Sequence, residues 1–186
     1  MNGPTLRGRL LVALPPLVDE NFDRTVVLML EHSDGGALGV VLNRPGERDV
    51  PTVLEPWSPY TSPPSVIFEG GPVETESVIG LALAEVPGEE GPNWAPAFDA
   101  IGTIDLSAGP DDQEPSVKAL RLFAGYAGWA PEQLEHELAV GAWTVADFRT
   151  DDAFGPDPAA LWRSVLRRQG GHIAWMANYP DEPAVN

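Results

Sequence analysis

The sequence predicts one α/β or α+β domain built on a mixed sheet. Three observations carry that expectation. Its apolar residues fall in short runs of strand length rather than in long helical stripes. Gly (19) and Pro (20) fill about a fifth of the 186 residues, against a usual share of roughly an eighth, so many turns must join short elements. Strand and helix signals also intermix without a regular βαβ alternation, which points to mixed rather than purely parallel pairing.

The elements follow in chain order. Residues 8–14 (GRLLVAL) read as a buried strand. Residues 25–31 (TVVLMLE) are apolar on both faces and β-branched at the start, as a central strand requires. Ser33-Asp34-Gly35-Gly36 forms a four-residue turn, and residues 37–42 return as the second arm of a hairpin. Residues 45–64 carry six prolines and leave room only for a short helix between Asp49 and Glu55, ended by Pro56. Strands resume at 65–68, 78–84 and 101–106, with 87–98 and the acidic 111–115 as loops. Residues 118–124 form a buried strand that runs into a turn at 125–129. Pro131 suits the first position of a helix, whose buried face carries Leu134 and Leu138 up to Gly141. A strand follows at 143–148. Asp157 then caps a helix that begins at Pro158 and stops before Gly170-Gly171. Residues 1–186 thus form a single domain, with 1–7 and 181–186 as loose ends.

Charge and composition exclude several function classes. The 28 acidic residues outnumber the 11 basic ones for a net charge of −17, which opposes contact with a polyanion. The one basic cluster, Arg163, Arg167 and Arg168, reads as a solvated helix face whose last turn complements the helix dipole. Absence of Cys removes thiolate metal sites and cysteine nucleophiles. His136-Glu137 opens an H-E-x-x-H pattern, but Val140 stands at the second histidine position, so no metal is expected. Asp105-Leu106-Ser107-Ala108-Gly109 lacks the first glycine of a nucleophile elbow, which leaves Ser107 a turn residue. Arg7 and Arg9 before Leu10–Leu14 outline a signal peptide, yet the apolar run is too short for one. A cytosolic protein without cofactor, membrane anchor or direct nucleic-acid contact is the expectation.

Residues 8–13, Pro15, Asp19 and Phe22 lead into Arg24, then Glu31-His32, Gly36-Ala37, Gly39 and Asn43-Arg44-Pro45. Gly70-Gly71-Pro72-Val73, Gly125-Tyr126-Ala127-Gly128-Trp129, Gln133-Leu134-Glu135 and Trp143 complete the set. In this order and spacing the chain resembles the AlgH/YqgE family of bacterial proteins over nearly its whole length. The resemblance implies a single domain with a mixed, partly barrel-like sheet flanked by helices, and a cytosolic location. It also brings a label of transcriptional regulator, without a DNA-binding module or an agreed catalytic set. Ala130 and Glu132 depart from the family pattern, where many relatives have glycine or small residues.

Candidate site residues come from two places. With the hairpin pairing every residue i to 69 − i, His32 faces Ala37, Val26 faces Asn43 and Thr25 faces Arg44. Arg24, Asn43 and Arg44 then gather at the open end, about 26 Å from His32 at ~3.3 Å per residue, which rules out an Arg24–His32 pair. Two arginines beside an amide can hold a carboxylate or phosphate, unless Asp19, Asp23 or Glu47 neutralises them and Asn43 caps a turn. The glycine-rich segments Gly70-Gly71 and Gly125-Tyr126 with Gly128-Trp129 are the second place, as a tight turn and a strand–turn–helix that could cradle an anion. Pro131, Glu132 and Glu135 argue against such a cradle, since they remove a donor and add negative charge. Together these residues suit a regulatory or accessory protein that binds a protein partner or a small anionic ligand. The alternative is a metal-free enzyme acting on a small molecule with carboxylates and arginines.

Overall fold

The computed structural model describes residues 4–15, 17 and 19–181. The chain runs β1 (Arg9–Ala13), β2 (Val26–Ser33), β3 (Gly36–Val41), β4 (Pro45–Asp49), α1 (Val50–Val53), β5 (Val66–Glu69), β6 (Val73–Ala84), β7 (Trp94–Phe98) and β8 (Ile101–Ile104). It continues through β9 (Val117–Trp129), α2 (Gln133–Ala139), β10 (Trp143–Asp147), α3 (Thr150–Phe154), α4 (Leu161–Arg167) and α5 (Gly171–Met176). Short 3-10 segments stand at Glu55–Tyr60, Pro110–Asp112 and Pro158–Ala160. Asp157 caps the last of these, accepting from the Ala160 N–H, so the turn leads into α4 rather than being its first part.

The strands form one sheet in the order β10-β1-β2-β3-β9-β6-β8-β7, with β4 paired to β5. β5 pairs parallel to β9, with an isolated parallel bridge from Thr61 to Leu120, so the sheet is mixed, as expected. β9 is the spine: β6 lies along one edge, while β5 and then β3 occupy successive stretches of the other. The sheet curls strongly into a half-barrel. Phe98 at the end of β7 meets Phe148 edge-on at 5.5 Å, just past β10, which brings the two ends of the strand order together.

Strand alternation then explains the core. Leu10, Val12, Val26, Leu28, Val40 and Leu42 face the concave side, where Trp162, Val165 and Leu166 of α4 cover them. Leu11, Ala13, Val27, Met29 and Val41 face the other way, onto Trp129, Trp143 and Leu134 of α2. A third cluster, with Trp57, Ile67, Leu120 and Leu122, covers the outer face around β5 and β9. Burying each such side chain contributes roughly 1.5–3 kcal/mol.

Several expectations need correction. Residues 125–129 are not a turn but the second half of β9. Gly125, at φ 70°, bends the strand without ending it, because β6 and β3 continue to pair beyond it. Pro131 precedes its helix: Glu132 at φ 65° is the N-cap, and α2 starts at Gln133. The hairpin register holds only near the tip. Leu30 is an extra residue between the Met29↔Gly39 and Glu31↔Leu38 pairs, so Val27 faces Val41 and each deeper pair shifts by one. Ser33 and Gly36 pair, which leaves Asp34-Gly35 as a two-residue connection. The proline-rich stretch 45–64, where only a short helix was expected, also holds β4, and the expected loop at 87–98 holds β7; both are edge segments whose prolines disguise them. Of the expected loose ends, 1–3 and 182–186 lie outside the described residues. Leu6 and Asp181 are held, by His32 and by two arginines respectively.

Candidate functional site

Asn43 closes the open end of the hairpin. Its Oδ1 accepts from the Val26 N–H at 2.9 Å and its Nδ2 donates to the Arg24 carbonyl at 2.8 Å, so one amide side chain replaces a rung of the ladder. Arg24 and Arg44 leave this point in different directions. Arg24, at φ 54°, donates to Asp181 and the Pro180 carbonyl and lies over the Trp162 ring at 5.3 Å. Arg163 also binds Asp181, at 2.7 Å, and it more than Arg24 holds that carboxyl below the usual range. The neutralising acid therefore comes from the far end of the chain, not from Asp19, Asp23 or Glu47.

Arg44 is held by carbonyls. Its Nη1 donates to Asn21 O at 2.7 Å, and its Nη2 to Glu20 O at 3.0 Å and Asp23 O at 3.3 Å. The backbone on either side of it is fixed as well. The Glu69 N–H donates to Arg44 O, the Val41 N–H to Gly70 O and the Gly70 N–H to Ala124 O.

That crossing explains the glycines. A Cβ on Gly70 would lie 2.3 Å from Gly125 O, and one on Gly71 2.1 Å from the Tyr126 carbonyl carbon. On Gly125 it would lie 2.5 Å from Gly71 O. Gly70, Gly71 and Gly125 are glycines because two backbones touch there. Gly128 is different: the nearest atom to its Cβ position is 3.6 Å away, and the residue is exposed. Tyr126 pairs with Val73 and packs against the concave core. Trp129 belongs to the convex core, with its indole N–H donating to Glu137 Oε2 at 2.9 Å. Trp143 donates to the same oxygen at 2.8 Å. The glycine-rich segments thus form a knot of backbone and buried rings instead of a strand–turn–helix cradle.

Beside the knot lies a cavity of about 310 Å³ lined by Asn21, Arg44, Arg48, Glu69, Gly71 and Thr75 among others. Of the sequence candidates, Arg44 and Gly71 line it, and Gly70 and Gly125 support its wall. Arg24, Asn43, Tyr126, Gly128 and Trp129 do not line it. Sequence reasoning missed Arg48, on a Pro-led edge strand with no apolar alternation to signal it. Arg48 is exposed and, among the described residues, makes neither a side-chain hydrogen bond nor an ion pair. Arg44 is thus a preset guanidinium and Arg48 a free one, facing a common space with the hydroxyl of Thr75. One carboxylate, Glu69, shares the lining, so the cavity carries a net positive charge inside a chain of −17.

A second missed arginine is structural. Arg121 on β9 is 2% exposed and donates to Ala153 O at 2.7 Å, Pro63 O at 2.6 Å and Gly155 O at 3.2 Å, with Phe68 4.5 Å below it. Burial lowers its pKa to about 10, which still leaves it charged at neutral pH. The C-terminal basic cluster is largely paired: Arg163 binds Asp181, and Arg168 binds the buried Asp152 at 2.6 Å. Ser107 is the expected turn residue, donating to Asp105 and lowering that carboxyl's pKa. No helix among the described residues is long and apolar enough to cross a membrane.

Fold and site together define a class: a one-domain α+β half-barrel with a small arginine-lined cavity at its central strand crossing. The family model described as AlgH-like matches residues 10–174, and this chain belongs to that family. A UPF0301 protein of Streptomyces coelicolor is 51% identical over 98% of this chain and 96% of its own length. A UPF0301 protein of Thermobifida fusca is 43% identical over 100% of this chain and 98% of its own. Among solved structures, protein DIP2367 from Corynebacterium diphtheriae superposes with a TM-score of 0.86 at 32% identity, covering 96% of this chain and 94% of that one. The solution structure of AlgH from Pseudomonas aeruginosa matches with a TM-score of 0.68 over 98% and 99%, at 24% identity, a likeness of fold alone.

Proposed function

We propose that this chain is a cytosolic accessory or regulatory protein that works by binding a small anionic ligand between Arg44 and Arg48. One observation carries the reading: two guanidinium groups that have no carboxylate partner among the described residues line one small cavity, in a chain where acids far outnumber bases. A planar guanidinium matches carboxylate and phosphate oxygens two bonds at a time, a contact open to Arg48, while Arg44, with three of its five N–H donors on carbonyls, adds charge and single bonds. Arg44 is already oriented by three carbonyls, so little ordering cost remains on its side. Any influence on transcription would run through another protein, because −17 repels nucleic acid at long range.

Thermal shift with phosphate, pyrophosphate and succinate at constant ionic strength tests this. At least one should raise Tm saturably, and a ligand at about a hundred times its Kd stabilises by ~2.7 kcal/mol. Arg48→Ala should abolish the rise, while Arg167→Ala, an equal charge change on an exposed helix position, should keep it. A rise that survives Arg48→Ala, or none with any of the three, overturns the reading.

A further inference from the structure

Arg44 lies at the open end of the β2–β3 hairpin, and the tip at the opposite end marks one end of the half-barrel. A separate cavity of about 460 Å³ lies there, between the hairpin and β7 and β8, within the size range of small-ligand pockets, which favour barrel mouths. Its floor is apolar: Leu30 is buried, and Leu38, Ile79 and Ala97 pack against the concave core while remaining partly uncovered. Its rim holds one cation and one anion. Arg7 donates a single bond, to Pro96 O at 3.2 Å, and has no carboxylate within ion-pair reach among the described residues. The bulge at Leu30 sets Glu31 opposite Leu38, turning its carboxylate to the face that Leu38 shares with the core. Glu31 likewise forms no ion pair among the described residues.

The rim is also held in place. His32 Nδ1 accepts from the Leu6 N–H at 3.0 Å, pinning the segment that bears Arg7, while its Nε2 lies 2.9 Å from Glu135 Oε1. The Thr103 side chain adds a hydroxyl to the lining.

An unpaired guanidinium and an unpaired carboxylate above an apolar floor complement a molecule with both charges and an apolar body. We infer that this mouth binds a free α-amino acid with an aliphatic or aromatic side chain: the α-carboxylate meets Arg7, the α-ammonium meets Glu31, and the side chain covers Leu38 and Ile79. This site is independent of the anion cavity, and its test separates the two.

Leucine is the probe, titrated into the labelled protein and followed by amide shifts on β2, β7 and β8. Saturable binding is expected, with leucinamide, N-acetylleucine and glycine each weaker by at least about tenfold. Arg7→Gln and Glu31→Gln, both at exposed positions, should each weaken leucine by about tenfold without moving Tm. Arg48→Ala should leave the leucine titration unchanged whatever it does to anion binding. The inference is overturned if leucine shows no saturation by about 20 mM, if leucinamide binds equally well, or if either rim variant binds like the unaltered chain.

Discussion

Replacing Gly125 by alanine tests why the glycine-rich segments exist. Alanine there must hold φ at 70°, which costs an L-residue roughly 1–2 kcal/mol. Its Cβ would also sit 2.5 Å from Gly71 O and 2.8 Å from Val73 O, both backbone atoms that no side-chain rotation can move. Overpacking of that kind costs roughly 1–3 kcal/mol more. The expected loss is therefore about 2–5 kcal/mol, or roughly 4–20 °C in Tm for a domain of this size. Gly128→Ala is the internal control, on the same strand three residues on. Its φ is not positive and its nearest neighbour stands at 3.6 Å, so it should be neutral or gain up to about 1 kcal/mol through a less flexible unfolded chain. Urea and thermal denaturation followed by circular dichroism measure both. If Gly125→Ala melts within about 2 °C of the unaltered chain, the backbone contact does not explain the glycine. A Gly125→Ala protein of full stability that had lost anion binding would restore the cradle.

Other consequences concern buried and ion-paired groups. Arg121→Met should cost roughly 3 kcal/mol in urea denaturation, because it strands the carbonyls of Pro63 and Ala153 that the guanidinium satisfies; a variant as stable as the parent would refute the clamp. The Glu135 carboxyl is held below its usual pKa chiefly by the hydrogen bond from His32. A depressed carboxyl adds stability above its unfolded value of about 4.5 and loses it as pH falls through the lower folded value. Glu135→Gln should therefore cost about 0.5 kcal/mol at neutral pH, as an exposed pair does, and progressively less as pH falls below about 4.5; a cost unchanged between neutral pH and full protonation of the carboxyl would contradict this.

What the sequence made legible follows from how each element is stabilised. β1, β2, β3, β9 and β10 bury apolar residues on two faces, and such runs announce themselves. β4 (PGERD) takes its place from backbone pairing with β5, so its side chains carry no strand signal, and in β7 (WAPAF) Pro96 interrupts the run although Trp94, Ala97 and Phe98 pack against the core. The Leu30 bulge leaves no mark in composition, yet it moves every deeper hairpin pair by one and turns Glu31 toward the barrel mouth. For the site, Arg44 was found because the hairpin pairing gathers it at the open end, and Gly71 because the paired glycines mark a tight turn. Arg48, Asn21 and Thr75 join them only through the crossing of β3, β5 and β9, a relation between distant segments. Arg24 was well placed along the chain but is claimed by Asp181, far beyond the reach of a local pattern.

Binding at the Arg44–Arg48 cavity is the central claim, and amide chemical-shift mapping during a pyrophosphate titration at constant ionic strength tests it most directly. Arg48, Glu69, Gly71 and Thr75 should shift together along one saturating curve, and Arg48→Ala should flatten it. Shifts that cluster at Arg163 and Arg167 on α4, or that spread over the surface without saturating, would contradict it.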